Sequence, residues 1–296
     1  MKRKHINIGY IYAIATGVIL GLVPIIFQKV LTQEPIPRAM ALFIKLTVTL
    51  PIFLPFSVHK NKKVQLPRHF GWKLSLCSLL YVATLILLYE SYHYIPTGIG
   101  VSLHYTFPLF TMVLSVLFFR FRCTGQSVVS MLLSLSGILF LSSGSLSSGN
   151  AAYIGIILAI GSAVTYATYF LWMEHAKLSS IDTTVFVPLK ACLSAFFLLL
   201  YVIITDQLTF AISFQSFLGL LMSGVFTMIA SFCLTLAIRH IGSVHASILG
   251  SLEPIVCAVA GIVFLGEQVS LKNSIGIVMV LTAAVMVTLN KQKTEK

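Results

Sequence analysis

Long apolar stretches, separated by short polar or basic segments, follow one another along the whole chain. A helix needs about 20 consecutive apolar residues to cross the hydrocarbon core of a bilayer, and each stretch is close to that length. The pattern predicts an all-α integral membrane protein with ten transmembrane helices, at residues 8–30, 38–58, 71–92, 97–119, 126–146, 152–173, 183–205, 213–236, 243–265 and 272–290.

The second half of this pattern repeats the first at an offset of 146 residues. Pro108 recurs as Pro254, and the same offset aligns Gly9 with Gly155. Self-similarity of this kind indicates an internal repeat, and many secondary transporters consist of two related halves around a central site. We therefore expect two repeats of five helices.

The odd number of helices in each repeat sets the orientation of the second half. After five crossings the chain has changed sides, so the second repeat enters the membrane inverted. We expect a first repeat at residues 1–146, a short outer linker at 147–151 and an inverted repeat at 152–296, which together form one transmembrane unit.

Composition and charge support a membrane protein and give its orientation. Charged residues make up only 9% of the chain, whereas soluble domains carry roughly 25%. With a cytoplasmic N-terminus, fifteen basic residues lie in inner segments and three, Lys29, Arg38 and Lys272, in outer ones. Because cytoplasmic loops carry the excess of Lys and Arg, both termini are expected inside the cell membrane. The net charge of +12 is spread over thin loops, so no nucleic-acid partner is expected.

Two classes of function were compared, a transporter and a membrane enzyme acting on lipid-linked substrates. The chain has only 8 acidic residues and lacks the His-Glu-x-x-His, Gly-x-Ser-x-Gly and Walker motifs. The pattern therefore argues against an enzyme and against an ATP-driven pump. The five scattered cysteines are expected to be packing residues, and no metal or cofactor is expected.

Several segments of the second half carry a family resemblance. Residues Ala237–Gly242, Ala246–Leu249, Leu252–Pro254 and Phe264–Glu267 resemble the penultimate helix of the EamA family of the drug/metabolite transporter superfamily. Ser274–Ala284 resembles the final helix of the family. The resemblance implies two five-helix repeats and secondary transport, often export of amino acids, other small metabolites or toxic compounds.

The expected substrate is a small polar metabolite, such as an amino acid or a related zwitterion or anion, exported by alternating access. Multidrug export is the alternative, and protons are candidate coupling ions. The first half matches the family less closely, because Phe-Arg-Phe-Arg at 119–122 replaces a common Leu-Gly-Glu ending.

Two lysines lie within predicted helices, where ionisable side chains are costly and usually face a cavity or a partner. Lys45 is nearer the outer face and Lys190 nearer the inner face. Both are candidate sites for a substrate carboxylate or phosphate. Alternatively, each snorkels to the nearer interface or pairs with a buried acid. The family resemblance suggests that Lys45 replaces a frequent arginine.

Glu253 and His104 are the other ionisable candidates. Glu253 could carry a coupling proton, or it could be a structural counter-ion to a lysine or cap backbone opened by Pro254. His104, beside Tyr105 in the fourth helix, could relay protons or bind substrate together with that tyrosine. A hydrogen-bonded packing histidine is the alternative.

Aromatic residues of the sixth helix form another candidate surface. Tyr166 stands where the family resemblance gives tryptophan, and it could offer the substrate a ring and a hydroxyl. Tyr169 and Trp172 are expected to be belt residues at the membrane interface.

Proline and glycine at matching places in the two repeats predict helices that bend during gating. Static kinks are the alternative. The positions are Gly98, Pro108, Gly250 and Pro254.

Overall fold

The structure is a bundle of α-helices. The computed structural model describes residues 2–34, 36–59, 69–95, 97–120, 124–141, 150–209, 212–265 and 271–294. Within these ranges there is no β-strand, which confirms the all-α class. The helices are α1 (Lys2–Gln33), α2 (Arg38–Thr47), α3 (Leu50–His59), α4 (Phe70–Ser91), α5 (Thr97–His104), α6 (Phe107–Phe119), α7 (Gly125–Leu141), α8 (Asn150–His175), α9 (Thr183–Ile204), α10 (Phe214–Gly250), α11 (Leu252–Leu265) and α12 (Leu271–Thr294).

Among the residues that the structure describes, seven helical stretches are long and apolar enough to cross a bilayer. They are Ile8–Gln33, Arg38–Pro55, Phe70–Ser91, Ile99–Phe119, Ala152–His175, Thr183–Ile204 and Phe214–Gly250. Helices α7 and α12 contain shorter apolar stretches, Gly125–Ile138 and Ser274–Ala283. The chain is therefore a multi-pass membrane protein.

Helix α10 contains parts of two predicted crossings. Its 37 residues would extend about 56 Å at 1.5 Å per residue, nearly twice the roughly 30 Å of the hydrocarbon core. Gly242 divides it with φ 79° and ψ 164°, a backbone conformation that needs a residue without Cβ. The sequence predicted a connecting segment between helices 213–236 and 243–265, but the chain redirects at this one glycine. With α10 counted as parts of two crossings, the fold is compatible with the predicted ten.

Three helices end four residues before a proline that lies in the first turn of the next helix. The pairs are Thr47 and Pro51, His104 and Pro108, and Gly250 and Pro254. Proline lacks the N–H that would bond the carbonyl four residues earlier, and its ring clashes with that carbonyl. The predicted helices 38–58 and 97–119 are therefore each broken into two. Gating at Pro108 and Pro254 stays a prediction.

The helices pack mainly across the two halves of the chain. Helix α1 packs on α10 and α11, and α8 packs on α4, α5 and α6, while α2 packs on α9 and α7 on α12. A Cβ on Gly9 would lie 2.6 Å from the Cβ of His240, and one on Gly155 would lie 2.8 Å from the Cβ of Tyr94. These two contacts are related by the 146-residue offset, so the halves meet in a pseudo-symmetric way.

The linker predicted at 147–151 falls largely outside the described residues. Asn150 and Ala151 belong to the first turn of α8, and residues 142–149 are not described.

Contacts between connecting segments agree with the predicted alternation of sides. We call the side where α1 begins the near face and the side where α1 ends the far face. At the near face, the indole Nε1 of Trp172 donates to the carbonyl of Lys73 at 3.0 Å. At the far face, the Tyr201 hydroxyl donates to Oε1 of Glu90 at 2.9 Å. Each contact joins segments that the sequence places on one side.

Candidate functional site

The two intramembrane lysines are inside the protein. Lys45 on α2 is 6% exposed and Lys190 on α9 is 2% exposed. The Lys45 ammonium lies 5.3 Å from the ring centroid of Phe27. The Lys190 ammonium lies 4.6 Å from the ring centroid of Tyr81. Cations attract the faces of aromatic rings at these distances, so both ammonium groups are held by interior contacts.

The two lysines occupy nearly equivalent positions in the two halves, since they are 145 residues apart and the repeat offset is 146. The Ser78 hydroxyl on α4 donates to the backbone carbonyl of Lys190 at 3.2 Å. Gly224 on α10 lies against the backbone carbonyl of Lys45. Ser78 and Gly224 are 146 residues apart, the offset of the repeat. The backbone around each lysine is therefore set by the same helix pairing.

The charged partners of the two lysines differ. Lys45 and the Tyr105 hydroxyl both lie within electrostatic range of the Glu253 carboxyl on α11. These three side chains join both halves in one polar network. Glu253 thus lies near a lysine, as the alternative of a structural counter-ion requires. A role of Glu253 in proton coupling stays a prediction.

Lys190 instead has aromatic neighbours. Its ammonium donates to the Tyr169 hydroxyl at 2.9 Å and faces the Tyr81 ring. No carboxylate within the described ranges forms an ion pair with it. A buried cation without a counter-ion carries an uncompensated desolvation cost. This site is therefore suited to receive a negative charge.

Tyr169 is the residue that the sequence prediction misplaced. It was expected in the interface belt, but it is 1% exposed and bonded to Lys190. Its ring stacks with that of Tyr166, with centroids 5.7 Å apart and planes at 5°. The spacing of three residues on α8 puts both rings on one helix face, which is the signal that could have identified it. Tyr81, on α4, had no such signal.

Tyr166 lies at the centre of an aromatic cluster between the two halves. Its ring centroid is 4.8 Å from that of Phe107, 4.9 Å from that of Phe170 and 5.2 Å from that of His104. Edge-to-face and tilted contacts at such distances stabilise packing. Tyr166 thus contacts His104 on one side and, through Tyr169, the bonding partner of Lys190 on the other.

His104 is buried and hydrogen-bonded to α8. Its Nδ1 lies 3.0 Å from the Ser162 hydroxyl. Because that hydroxyl donates its only proton to the Ala159 carbonyl, Nδ1 is the donor in the pair. The arrangement matches the packing alternative for His104, and proton relay by this residue stays a prediction.

The two candidate hinge glycines lie at the ends of helices. Gly98 is the second residue of α5 and Gly250 is the last residue of α10. A Cβ on Gly250 would lie 3.4 Å from Cζ of Phe107. Helix breaks of the two halves therefore meet at this aromatic ring.

The far face contains an open cavity of about 520 Å³. Its wall is formed by the ends of α1, α2, α4 and α9. The lining residues are Leu31, Glu34, Ile36, Pro37, Arg38, Ala39, Leu42, Ile86, Tyr89, Glu90, His93, Tyr201 and Gln207. A cavity of this size lies within the range of small-molecule sites.

At the near face, a set of polar contacts that we call the near-face latch joins α8, α10 and the segment before α9. The backbone N–H of Ser243 donates to Oε2 of Glu174 at 2.6 Å. The Arg239 guanidinium donates to the carbonyls of Ser179 and Ile181, at the 3-10 turn before α9. The latch ties α8 and the start of α9 to α10 on both sides of Gly242. A cavity thus opens at the far face, and the latch joins helices at the near face.

Comparisons with known proteins agree with the predicted two repeats. A model of the EamA-like transporter family matches residues 7–143 and again 153–289. An uncharacterized transporter of Clostridium kluyveri is 24% identical over 291 residues, covering 94% of this chain and 92% of that protein. The uncharacterized transporter YvbV of Bacillus subtilis is 26% identical over 232 residues, covering 76% of this chain and 74% of its own. A solved crystal structure shares the fold with a TM-score of 0.80 over 99% of each chain, at 16% identity.

Proposed function

Because the chain belongs to the EamA-like transporter family, we propose that it is a secondary active exporter of a small polar metabolite. The substrate class is an amino acid or a related zwitterion or anion, moved out of the cell across the cytoplasmic membrane. Both termini are then cytoplasmic, so the near face is the cytoplasmic side. Membrane transport follows from the family, and the relatives named above are themselves called transporters.

The observation that carries the substrate class is the environment of Lys190. Its ammonium is buried, bonded to the Tyr169 hydroxyl, and unpaired with any carboxylate that the structure describes. A substrate carboxylate would compensate this charge and gain a charge-assisted hydrogen bond. The Tyr81 and Tyr166 rings would contact the rest of the molecule. Glu253, on the other side of the cluster, would attract the amino group of a zwitterion.

The difference between the two faces supports alternating access. A cavity opens at the far face, while the latch joins helices at the near face. In an inverted repeat, exchange of conformation between the halves produces the reverse arrangement. The breaks before Pro108 and Pro254 supply equivalent hinges in the two halves. Glu253, linked to Lys45 and Tyr105, is our candidate for the coupling proton.

The direct test is a thermal-shift screen of the purified protein with amino acids, organic acids, nucleosides and hydrophobic cations. A ligand at a hundred times its Kd stabilises the native state by about 2.7 kcal/mol. We expect a carboxylate-bearing metabolite to raise Tm in the wild type but not in Lys190→Met. Lys177→Met removes an exposed lysine and is the matched control, which should respond like the wild type.

Multidrug export is the second candidate, and the aromatic cluster around Tyr166 favours it, since such rings bind organic cations. A Tm response to hydrophobic cations alone would replace the metabolite proposal by this one. Stabilisation by carboxylates that persists unchanged in Lys190→Met would leave transport of metabolites in place but remove Lys190 from the site.

A further inference from the structure

The far-face cavity and Lys45 share one face of α2. Arg38, Leu42 and Lys45 stand at intervals of four and three residues, so their side chains follow one another along that face. Seven residues at 1.5 Å each put Lys45 about 10 Å deeper than Arg38. Arg38 and Leu42 line the cavity. On this face of α2, Arg38 thus lies at the cavity and Lys45 lies about two helical turns deeper.

The acidic residues of the cavity are already engaged by other groups. The carboxylate of Glu34 accepts hydrogen bonds from the Ser213 N–H at 3.0 Å and from the Ser216 hydroxyl at 2.9 Å. Both partners lie at the start of α10. These bonds tie the first carboxylate to the start of α10.

The second acidic residue, Glu90, is held by the opposite wall. Its Oε1 accepts from the Tyr201 hydroxyl at 2.9 Å, and its Oε2 lies 3.9 Å from Nε2 of His93. Both carboxylates thus have partners other than Arg38. Among the residues that the structure describes, neither acid of the cavity forms an ion pair with Arg38.

The Arg38 guanidinium makes no hydrogen bond and no ion pair within the part of the chain that the structure describes. It lies over the ring of Tyr92, 5.9 Å from the centroid, and Tyr92 packs edge-on against Tyr89 at 5.4 Å. A guanidinium offers a planar fork of N–H donors that matches a carboxylate, and stacking on an aromatic ring leaves the edge of that fork free. Such an arrangement is ready to bind a planar anion.

We propose that Arg38 and the far-face cavity form a second substrate subsite, which binds the carboxylate of the solute on the outer side of the membrane. This subsite rests on the proposed transport of small carboxylate metabolites. Tyr92 orients the guanidinium, and Tyr89 forms the inner wall, within electrostatic range of both Arg38 and Glu253. During transport, the carboxylate of the solute moves between Arg38 and the interior lysines. The tyrosine rings lie between these cations.

The test uses the full chain in nanodiscs of phosphatidylcholine, which has no net charge, and the twenty proteinogenic amino acids as probes. For each amino acid that raises Tm, the decarboxylated amine serves as the paired probe. We expect Arg38→Gln to weaken binding of the amino acid about tenfold, equivalent to 1.4 kcal/mol, and to leave the weak binding of the amine unchanged. Arg38→Lys keeps the charge without the fork and should show a smaller loss.

Lys29→Gln is the matched control, because Lys29 is an exposed far-face cation outside the cavity lining. It should bind amino acids like the wild type. If Arg38→Gln does not fold, the loss in Arg38→Lys relative to Lys29→Gln decides the question in its place.

The outcomes separate the subsite from the proposed function. If neither an amino acid nor an organic acid of the earlier screen stabilises the wild type, the proposed function and the subsite are both wrong. If Lys190→Met loses the response but Arg38→Gln and Arg38→Lys behave like Lys29→Gln, the transport proposal stands and the subsite is wrong. The subsite is also wrong if the Arg38 variants lose the amine and the amino acid equally. An effect of Arg38 that appears only with added phosphatidylglycerol would assign the residue to an anionic lipid headgroup instead.

Discussion

Gly224 on α10 lies directly against the backbone carbonyl of Lys45 on α2, and a Cβ there would also meet Cγ2 of Thr49 at 2.5 Å. Because the close atom is backbone, it cannot move aside cheaply. We expect Gly224→Ala to destabilise the protein by about 1–3 kcal/mol, the usual cost of overpacking. Thermal unfolding in detergent would measure it.

The counterpart of this change in the other half is Ser78→Ala, which removes one hydrogen bond to the Lys190 carbonyl and adds no atom. Its cost should be about 1 kcal/mol. A Gly224→Ala protein as stable as the wild type would show that α2 and α10 are not in close contact.

Lys190→Met should separate binding from stability. Methionine fills a similar volume without a buried charge, and such replacements are often neutral or stabilising. We expect an unchanged or higher Tm without ligand and no rise with a carboxylate metabolite. Tyr169→Phe, which removes the hydroxyl that Lys190 bonds, should weaken the response in part. A ligand-free Tm that falls by many degrees in Lys190→Met would indicate a structural role instead.

Glu253→Gln should uncouple transport from the proton gradient. Glutamine keeps the shape of the side chain but cannot exchange a proton. In proteoliposomes we expect accumulation driven by a pH gradient to disappear, while exchange of labelled for unlabelled substrate continues. Loss of both activities would favour the structural counter-ion role. In that case Glu253→Gln should also lower Tm, because it leaves the charge of Lys45 uncompensated. The double variant Lys45→Met with Glu253→Gln should then have a higher Tm than Glu253→Gln alone, since it removes both charges together.

The near-face latch should control access from the near face. Glu174→Ala removes the acceptor of the Ser243 N–H, a contact that resembles a helix N-cap and is worth about 0.5–2 kcal/mol. We expect the equilibrium to shift toward a conformation open at that face. Ser179→Cys, buried behind the latch, should then react faster with a maleimide in a background without the five native cysteines. Equal labelling rates with and without Glu174→Ala would contradict the latch.

The rim of the far-face cavity should respond to acid through Glu34. The Ser213 and Ser216 hydroxyls, with the Ser213 N–H, bond the carboxylate and hold the pKa of Glu34 below its ordinary value of 4.5. Since the folded pKa is the lower one, the stabilisation is present above pH 4.5 and is lost as the pH falls through the folded value.

Glu34→Gln should therefore flatten the dependence of Tm on pH in the range below about 4.5. Because the side chain is only partly buried, the effect should be small and should weaken further in high salt. An identical pH dependence in wild type and variant would show that the bonds to α10 do not form in solution.

Much of the fold could be predicted from the sequence, because apolar stretches, prolines and the repeat offset are local or periodic signals. Pro108 and Pro254 even marked the places where the fourth and ninth crossings break. The continuity of α10 was not predictable, since it depends on the φ and ψ angles of Gly242 and not on its neighbours' polarity.

The candidate site was predicted less completely. Lys45, Lys190 and Glu253 were identifiable because ionisable residues are rare in apolar helices. Their partners were not, because the proximity of Lys45 to Glu253 joins residues from opposite halves that lie far apart in the chain. Tyr169 was assigned to the interface because composition alone does not distinguish a belt tyrosine from one bonded to a buried ammonium.

The close contacts of Gly9 and Gly155 have a consequence for the chain as a whole. The first helix of each half packs on the later helices of the other half, so the molecule has the architecture of a domain-swapped dimer whose two subunits have been fused. Neither half encloses a core of its own. The two halves, expressed as separate polypeptides, should be unstable alone and should accumulate only when they are produced together.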